Sequence, residues 1–356
     1  MKPKLGITAG DPAGIGAEVT LKALNKKELY DHCTPIIIGS KVVLEDALEI
    51  TGLSLKLRCI NKPEDALGEY GTIDLLNMEF PGKRNSDEQA WDYGKVSIAA
   101  GEAAFRYVEK AVALALEKSI AGIVTAPINK EAINLAGYKY AGHTEILAKL
   151  TASKNYAMIL ICDKFRVIHV TTHVSLKAAA DLVTAERVLT VIRLAHKGLK
   201  LLGCDSSGGE MNREPRIAVA GFNPHASEGG LFGDEEVRAI IPAIEAAKAE
   251  GIDVSGPWPP DTVFVKALGG QFDAVVAMYH DQGHIPLKLL SFKLGSTEQQ
   301  SRVSGINCTL GLPIIRTSVD HGTAFDKAGK NCSSEQSMIE AIEAASTMAN
   351  NQPNSE

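Results

Sequence analysis

Short apolar runs recur along the chain, and each is followed by a turn rich in Gly, Pro, Asn or His and then by a stretch with helical spacing. The run LGITA leads into GDPAGIGAE and the helix-like EVTLKAL, and RVIHVT leads into THVSLKAAADL. Strands that alternate with helices favour an α/β fold with largely parallel, doubly wound sheets. Strands are predicted at residues 5–9, 35–38, 121–125, 157–162, 166–171, 216–220 and 274–278.

The length of 356 residues fits two α/β units of roughly 150–200 residues each. The break GYKYAGH between two helical patterns predicts a domain boundary near Tyr138. Two polar stretches, residues 203–215 and 291–305, are predicted to be surface loops. Residues 351–356 are predicted to be a frayed tail.

Composition narrows the class of protein. Hydrophobic residues make up 45% of the chain and charged residues 22%, which is typical of a globular protein with a large core. The net charge of -6 argues against a nucleic-acid partner, which requires a basic face. No apolar run approaches the length of about 18 residues that a membrane span needs, and the N-terminus does not resemble a signal peptide. Six cysteines form no CxxC pair, so we expect a reduced, cytoplasmic protein.

Histidines follow several predicted strands directly. His173, His225, His280 and His321 all lie just beyond the carboxyl end of an apolar run, where open α/β sheets bind ligands. Neutral imidazole is a common ligand for zinc and similar ions, and three such ligands leave positions open for a substrate. For any single histidine, a hydrogen-bonded residue at a strand end is an equally good interpretation. Three in the same context favour a metal site.

Spacing separates neighbouring candidates. His169 and His173 lie in a β-branched run that predicts a strand, in which four residues span roughly 13 Å, so they are not expected to share a metal. His280 and His284 flank a predicted Asp-Gln-Gly turn. His284 is then either an outer partner of the site or an exposed side chain. Asp281 is either the carboxylate that orients a ligating imidazole or a solvated turn residue.

An anion site is indicated at residues 142–145, Gly-His-Thr-Glu, before the helix-like ILAKL. A helix start offers free N–H groups and a positive dipole end to a phosphate or carboxylate, although Thr144 could simply cap the helix. Lys288 and Arg316 flank the second polar stretch and are either cations for an anionic substrate or ordinary surface charges.

Two glycine-bearing stretches bear on nucleotide binding. GDPAGIG, residues 10–16, fails the dinucleotide pattern because Val19 stands where its third Gly should be, and it lacks the Lys-Ser/Thr of a P-loop. It is predicted to be a tight strand-to-helix turn. HGTAFDKAG, residues 321–329, is similar to the loop that binds the NAD adenosine in isocitrate and isopropylmalate dehydrogenases.

The full set of motifs resembles one family, the 4-hydroxythreonine-4-phosphate dehydrogenases of vitamin B6 biosynthesis. The resemblance covers residues 5 to about 329. Its motifs, in order, are AGDPAGIGAE, VTAPINKEAI, GHTE, VTTHVSL, NPHASEGG, MYHDQG and GLPIIRTSVDHGTA.

The resemblance implies two α/β/α domains like those of isocitrate and isopropylmalate dehydrogenases, with the active site in the cleft between them. The first would comprise residues 1–137 and about 318–350, and the second residues 138–317, with the metal ligands and the dimer interface. It implies a homodimer whose active sites are shared between subunits. We expect His173 and His225 from one subunit and His280 from the other.

The resemblance also assigns residues to roles. The metal ligands would be His173, His225 and His280, holding one zinc, magnesium, cobalt or manganese ion per site. The substrate residues would be His143, Thr144, Lys288, Asn307 and Arg316. Asp261 and Asp281 would lie near the site, with Lys288 or Asp281 as general base. NAD, or NADP, would contact His321, Gly322, Thr323, Ala324 and Asp326.

Two departures concern the substrate. After YHDQG the chain reads His284-Ile285-Pro286 where the biosynthetic pattern has Leu-Pro, and this version resembles a sister branch that acts on D-threonate or D-erythronate 4-phosphate. The stretch between Lys288 and Asn307 is also longer than is usual. The expected reaction is oxidation of a phosphorylated hydroxy acid, followed by decarboxylation of the β-keto acid. The alternatives are a phosphate acyltransferase of similar architecture and an inactive metal-dependent binding protein.

Overall fold

The computed structural model describes residues 2–82, 91–204, 213–293 and 302–352. The chain divides into two compact units, Met1–Lys154 with Leu312–Asn350, and Asn155–Gly311 with Asn351–Glu356. The first division falls at Lys154 rather than near Tyr138, because the helix His143–Leu150 packs against the helix Ile98–Leu116 of the first unit. Most of both polar stretches, and residues 353–356 of the predicted tail, lie outside the described residues.

The first unit has a six-stranded sheet in which every pair of neighbours is parallel, in the order β3-β4-β2-β1-β5-β14. Strands such as TPIIIG are buried along nearly their whole length, as expected where helices cover both faces of a parallel sheet. The strands are β1 Lys4–Thr8, β2 Thr34–Gly39, β3 Lys56–Ile60, β4 Thr72–Asn77, β5 Gly122–Thr125 and β14 Ile315–Val319. The helices are α1 Gly16–Leu24, α2 Leu29–His32, α3 Lys41–Thr51, α4 Ile98–Leu116, α5 Lys130–Leu135, α6 His143–Leu150 and α12 Gln336–Asn350.

Two local features set the helices of the first unit. Ser97 caps α4 by accepting a hydrogen bond from the N–H of Ala100, and Asn129 caps α5 through the N–H of Ala132. A Cβ at Gly101 would lie 2.2 Å from the carbonyl oxygen of Ala132, so only glycine lets α4 and α5 approach this closely. Because the strands are parallel, the loops after β1, β5 and β14 open at one edge of the sheet.

The second unit has a mixed sheet in the order β13-β6-β7-β10-β8-β9. β6 pairs antiparallel with β13 and with β7, whereas β7, β10, β8 and β9 are parallel neighbours. Its strands are β6 Ala157–Cys162, β7 Phe165–His169, β8 Ile217–Ala220, β9 Val254–Trp258, β10 Ala274–Ala277 and β13 Ile306–Leu310. A small antiparallel pair is formed by β11 Phe292–Lys293 and β12 Arg302–Val303. The helices are α7 Leu176–Leu182, α8 Ala185–Leu201, α9 Ile241–Ala249, α10 Val263–Leu268 and α11 His280–Ser291.

The α/β class with mostly parallel sheets is confirmed, and a strand is found at each predicted position. Two local predictions are wrong. The strand predicted at 166–171 ends at His169: the N–H groups of Val170 and Thr171 still bond the carbonyl oxygens of Ala277 and Met278, but the carbonyl oxygen of Val170 accepts from the side chain of Arg187. Residues 280–284 form the start of α11 instead of a turn.

The position of α11 is fixed by packing. A Cβ at Gly283 would lie 2.4 Å from Nε2 of His169 and 2.5 Å from Cγ1 of Val167, so the helix lies directly on β7. Leu287, one turn further on, is fully buried in the core of the second unit with Val167 and Val275. Within the described ranges, no helix combines the length and apolarity that crossing a membrane requires. All six cysteines have free thiols.

Candidate active site

Two of the three predicted metal ligands lie together in the second unit. β7 and β10 are hydrogen-bonded parallel neighbours, with Ala277 opposite His169, so the residues after them emerge side by side. His173 follows β7 and His280 begins α11, and their ring centroids are 5.7 Å apart. Both line a cleft of about 260 Å³ together with Tyr279 and Asp281.

Asp281 orients the His280 imidazole. Its Oδ1 lies 2.7 Å from Nδ1 of His280, which directs Nε2 of that ring away from the carboxylate. A carboxylate on the second ring nitrogen fixes the tautomer and raises the basicity of a ligating histidine. The Asp281 side chain is nevertheless 72% exposed, so it contacts both the His280 imidazole and solvent.

His284 packs behind His280 rather than extending into solvent. On a helix, residues four apart lie on one face, and the two rings are stacked with centroids 3.6 Å apart and an interplanar angle of 12°. His284 donates from Nδ1 to the carbonyl oxygen of His280 at 3.0 Å. His169 lies beneath it, 4.7 Å away by ring centroid, and burial followed by the nearby His284 and His280 lowers its pKa to about 3. A neutral His169 thus supports the stack.

His225 lies in a different setting. It follows β8 in the short helical segment Pro224–Gly229, with its side chain 61% exposed and its Nδ1 3.3 Å from Oε1 of Glu228. In the part of the chain that the structure describes, no three His, Cys, Asp or Glu side chains form a group able to hold a metal ion. His173 and His280 come together within one chain, and which subunit supplies each of the three histidines to a shared site stays a prediction.

The first unit has a pocket with positive character. It measures about 180 Å³ and is lined by His143, Lys130, Thr125 and His321, among others. Behind Thr125 lies Arg316, which is only 2% exposed and donates from Nη2 to Oγ1 of Thr125 at 2.8 Å. Arg316 is therefore not a surface charge. A buried cation behind a pocket wall suits an anionic ligand.

His143 is an uncharged donor or acceptor in this pocket. Burial and then the positive charge of Arg316 hold its pKa well below the ordinary value. Among the described residues, its Nε2 is buried without a hydrogen-bond partner. The N-cap of α6 is Gly142, and α6 has no side-chain cap, so Thr144, the second residue of the helix, does not act as a cap.

The predicted cofactor residues lie in residues 321–331, here called the 321–331 loop, after β14. The GDPAGIG turn and α1 hold this loop at both ends. Ile15 donates its N–H to the carbonyl oxygen of Thr323 at 3.1 Å. Buried Glu18 accepts from the N–H of Gly329 at 2.7 Å and of Asn331 at 3.0 Å. The loop is therefore a preorganised feature of the first unit.

Within the loop, the predicted contacts differ in exposure. His321 donates from Nδ1 to the carbonyl oxygen of Gly322 at 3.0 Å. Ala324 has a φ of 42°, and a Cβ at Gly322 would meet nothing within 4 Å. The side chain of Asp326 is exposed, while its carbonyl oxygen accepts from Lys330 at 2.6 Å.

Three of the predicted site residues line neither the cleft at His173 and His280 nor the pocket at His143. Lys288 is half-buried on α11, two turns beyond His280. Asn307 lies in β13 opposite Leu160. Asp261 is exposed in the turn between β9 and α10.

Sequence reasoning missed Lys130, Thr125 and Glu18. Lys130 and Thr125 belong to VTAPINKEAI, which was recognised only as a motif. Thr125 ends β5 and Lys130 begins the helix α5 that follows it, and that position after a strand could have singled them out as it did the histidines. Glu18 carries no such signal, because its partners are more than three hundred residues away in sequence.

Comparison with known proteins supplies the context. Residues 31–345 match the model of the family described as pyridoxal phosphate biosynthetic protein PdxA. The chain is 46% identical over 350 residues to D-threonate 4-phosphate dehydrogenase of Pectobacterium atrosepticum, covering 98% of this chain and 100% of that relative. It is 44% identical to 4-hydroxythreonine-4-phosphate dehydrogenase of Desulfosudis oleivorans, covering 97% and 95%. The crystal structure of 4-hydroxythreonine-4-phosphate dehydrogenase from Klebsiella pneumoniae superposes with a TM-score of 0.81 at 44% identity and 98% coverage of both chains.

Proposed function

Because the chain belongs to the family of the pyridoxal phosphate biosynthetic protein PdxA, and is an oxidoreductase by that membership, we propose that it oxidises a 4-phosphorylated four-carbon hydroxy acid with NAD and a divalent metal ion. The observation that carries the proposal is the pocket of the first unit, in which Lys130 and an uncharged His143 line one small cavity and buried Arg316 lies behind its Thr125 wall. Such a pocket suits a phosphate or carboxylate group. A substrate without an anionic group would leave the positive charges around this pocket unpaired.

The proposed substrate is D-threonate or D-erythronate 4-phosphate. Relatives named for D-threonate 4-phosphate and for 4-hydroxythreonine-4-phosphate match this chain at 46% and 44% identity, so identity alone separates them poorly. The observation that favours the first is His284, stacked on His280, in the His-Ile-Pro sequence typical of that branch. 4-Hydroxy-L-threonine 4-phosphate is the second candidate, since it presents the same phosphate to the same pocket.

The residues present fit a divalent metal. His173 and His280 supply two imidazoles on one cleft, and Asp281 leaves Nε2 of His280 as the coordinating atom. We propose that His225 of the partner subunit in a homodimer completes the set, because in each chain His225 is exposed and apart from the other two. Zinc, cobalt, manganese and magnesium are all candidates, and imidazole ligands favour the first two.

The residues also fit a dinucleotide, with the 321–331 loop at its adenosine end. When bound, the metal supplies a Lewis acid for the substrate hydroxyl and the nicotinamide supplies the hydride acceptor. Lys130 binds the phosphate from the pocket wall, Arg316 contributes its positive charge from behind Thr125, and His143 donates a hydrogen bond without adding charge. The group that accepts the hydroxyl proton is Asp281 or Lys288; Asp281 lines the same cleft as His280, and Lys288 lies two turns further along α11. The β-keto acid product then loses its carboxylate as CO₂.

The test is a direct assay of the purified protein. Each of the three phosphorylated acids, and each acid without phosphate, is incubated with NAD or NADP and one divalent metal, and NADH or NADPH formation is followed by absorbance. We expect turnover only with phosphate, metal and NAD together, with CO₂ released. Absence of reduced cofactor in every combination would overturn the proposal. Acyl transfer to phosphate would establish the acyltransferase alternative.

A further inference from the structure

The segment that carries His225 has a backbone conformation that L-residues avoid. His225, Ala226, Ser227 and Glu228 follow one another with φ angles of 54°, 54°, 68° and 45°. Positive φ crowds Cβ against the following carbonyl oxygen, so such a run persists only where surrounding contacts impose it. The residues that make those contacts therefore set the position of the His225 imidazole.

Glu236 makes the main contacts. It begins the π-helical turn Glu236–Ile240 and is 1% exposed. Its Oε1 accepts hydrogen bonds from the N–H groups of Phe222 at 2.7 Å and Asn223 at 2.8 Å. Its Oε2 accepts from Nδ2 of Asn223 at 2.9 Å. Both donor residues immediately precede the Pro224–Gly229 segment.

The rest of the segment packs against Glu236 and is held by hydrogen bonds of Ser227. A Cβ at Gly221 would lie 2.7 Å from Cα of Ala226 and 3.1 Å from Oε1 of Glu236, so the strand end, the carboxylate and the left-handed run are in direct contact. Ser227 donates its hydroxyl to the carbonyl oxygen of Gly233, and its own carbonyl oxygen accepts from the N–H of Leu231 at 2.8 Å.

The His225 ring itself is not held by burial. Its side chain is 61% exposed, and the neighbouring Leu231 and Phe232 are also exposed. A ring that is not buried by its own chain takes its position from the backbone that carries it. The backbone contacts of residues 222–223 thus control where the imidazole points.

Glu236 is buried, and its hydrogen bonds compensate for that burial. Burying a carboxylate is unfavourable unless it is paired or hydrogen-bonded. In the described ranges Glu236 forms no ion pair, and its hydrogen bonds to other elements all go to residues 222 and 223. Removing this carboxylate would leave the N–H groups of residues 222 and 223 without their acceptor.

We propose that Glu236 is a positioning residue, which holds the left-handed segment so that His225 projects as a ligand from its own subunit. The inference rests on the proposed function in one respect, since it takes His225 to be a metal ligand. Outer residues that orient a ligand commonly contribute about 10- to 100-fold to metal affinity.

The experiment measures Co²⁺ affinity of the metal-free protein from the visible absorption of the bound ion, without substrate or NAD. The variants are Glu236→Gln and Glu236→Ala, with His225→Ala as reference. Asp273→Asn is the matched control, because Asp273 is also buried and accepts hydrogen bonds, from Arg213 and from the N–H of Arg216, but lies away from the segment. Hydrogen exchange at the amides of residues 222 and 223 reports the local contacts.

We expect Glu236→Ala to weaken Co²⁺ binding about 100-fold and Glu236→Gln about 10-fold, because Gln keeps one acceptor for the two N–H groups. Asp273→Asn should lower the melting temperature with unchanged Co²⁺ affinity. Faster exchange at residues 222 and 223 with wild-type Co²⁺ affinity would overturn the inference, as would weakening no greater than that of Asp273→Asn. If His225→Ala binds Co²⁺ as tightly as the wild type, His225 is not a metal ligand. That result would refute the ligand assignment in the proposed function, and with it the role of Glu236.

Discussion

Replacement of Arg316 by methionine tests the anion pocket most directly. Arg316 lies in β14, is 2% exposed and bonds Thr125, which lines the pocket. Methionine keeps much of the side-chain volume and removes the positive charge. The variant therefore separates the electrostatic contribution from packing.

The expected loss of kcat/KM in Arg316→Met follows from Coulomb's law. Two unit charges about 6 Å apart at an effective dielectric constant near 20 attract by about 2–3 kcal/mol, which corresponds to a loss of about 30- to 150-fold in kcat/KM for a phosphorylated substrate. Arg316 lies behind the wall rather than on it, so a larger loss is not expected. Loss of the donor to Thr125 should cost about 1 kcal/mol of unfolding free energy.

Steady-state kinetics on the phosphorylated acids, together with urea unfolding, measures both quantities. Arg58→Met is the matched control, since Arg58 lies in β3 of the same unit and pairs with Asp74 at 2.7 Å from Nε. It should destabilise the fold and leave kcat/KM unchanged. A folded Arg316→Met protein with wild-type kcat/KM would refute the assignment of this pocket to an anion.

Three further predictions concern the other parts of the site. Mixed refolding of His173→Ala with His225→Ala should restore about a quarter of wild-type activity, because half of the dimers are mixed and one site in each is intact; His173→Ala with His280→Ala should restore none, and the opposite pattern would contradict the proposed ligand sharing. Asp326→Ala should raise KM for NAD with unchanged metal content, and loss of metal by this variant would contradict the cofactor assignment. The pKa of His143 is depressed in the fold, so its contribution to stability is complete above its ordinary pKa and is lost as pH falls below that value. Between about pH 7 and pH 5, urea unfolding should therefore show a smaller loss of unfolding free energy for His143→Gln than for the wild type. Equal losses in the two proteins would indicate that His143 has an ordinary pKa.

Much of the fold can be predicted from the sequence because its strands are buried and short. Short apolar runs such as AMILIC and TPIIIG favour interior strands, and the turns and helical stretches that follow them give the α/β alternation. The same reasoning located His173, His225 and His280, since residues after parallel strands collect at one edge of a sheet. It also located the HGTAFDKAG loop after β14.

Which of these residues meet is decided by strand order, which local sequence does not encode. His173 and His280 are neighbours because β7 pairs with β10, whereas His225 follows β8 on the other side of β10 and lies in a strained segment held by Glu236. The helix at His280 was hidden by Gly283 and Pro286, and the tight packing of Gly283 on His169 explains it. Arg316 appeared from sequence to be a possible surface charge, but its strand lies beside β5 and buries it. Local pattern determined the elements and the strand-end candidates; long-range pairing and close packing decided which candidates share a cleft.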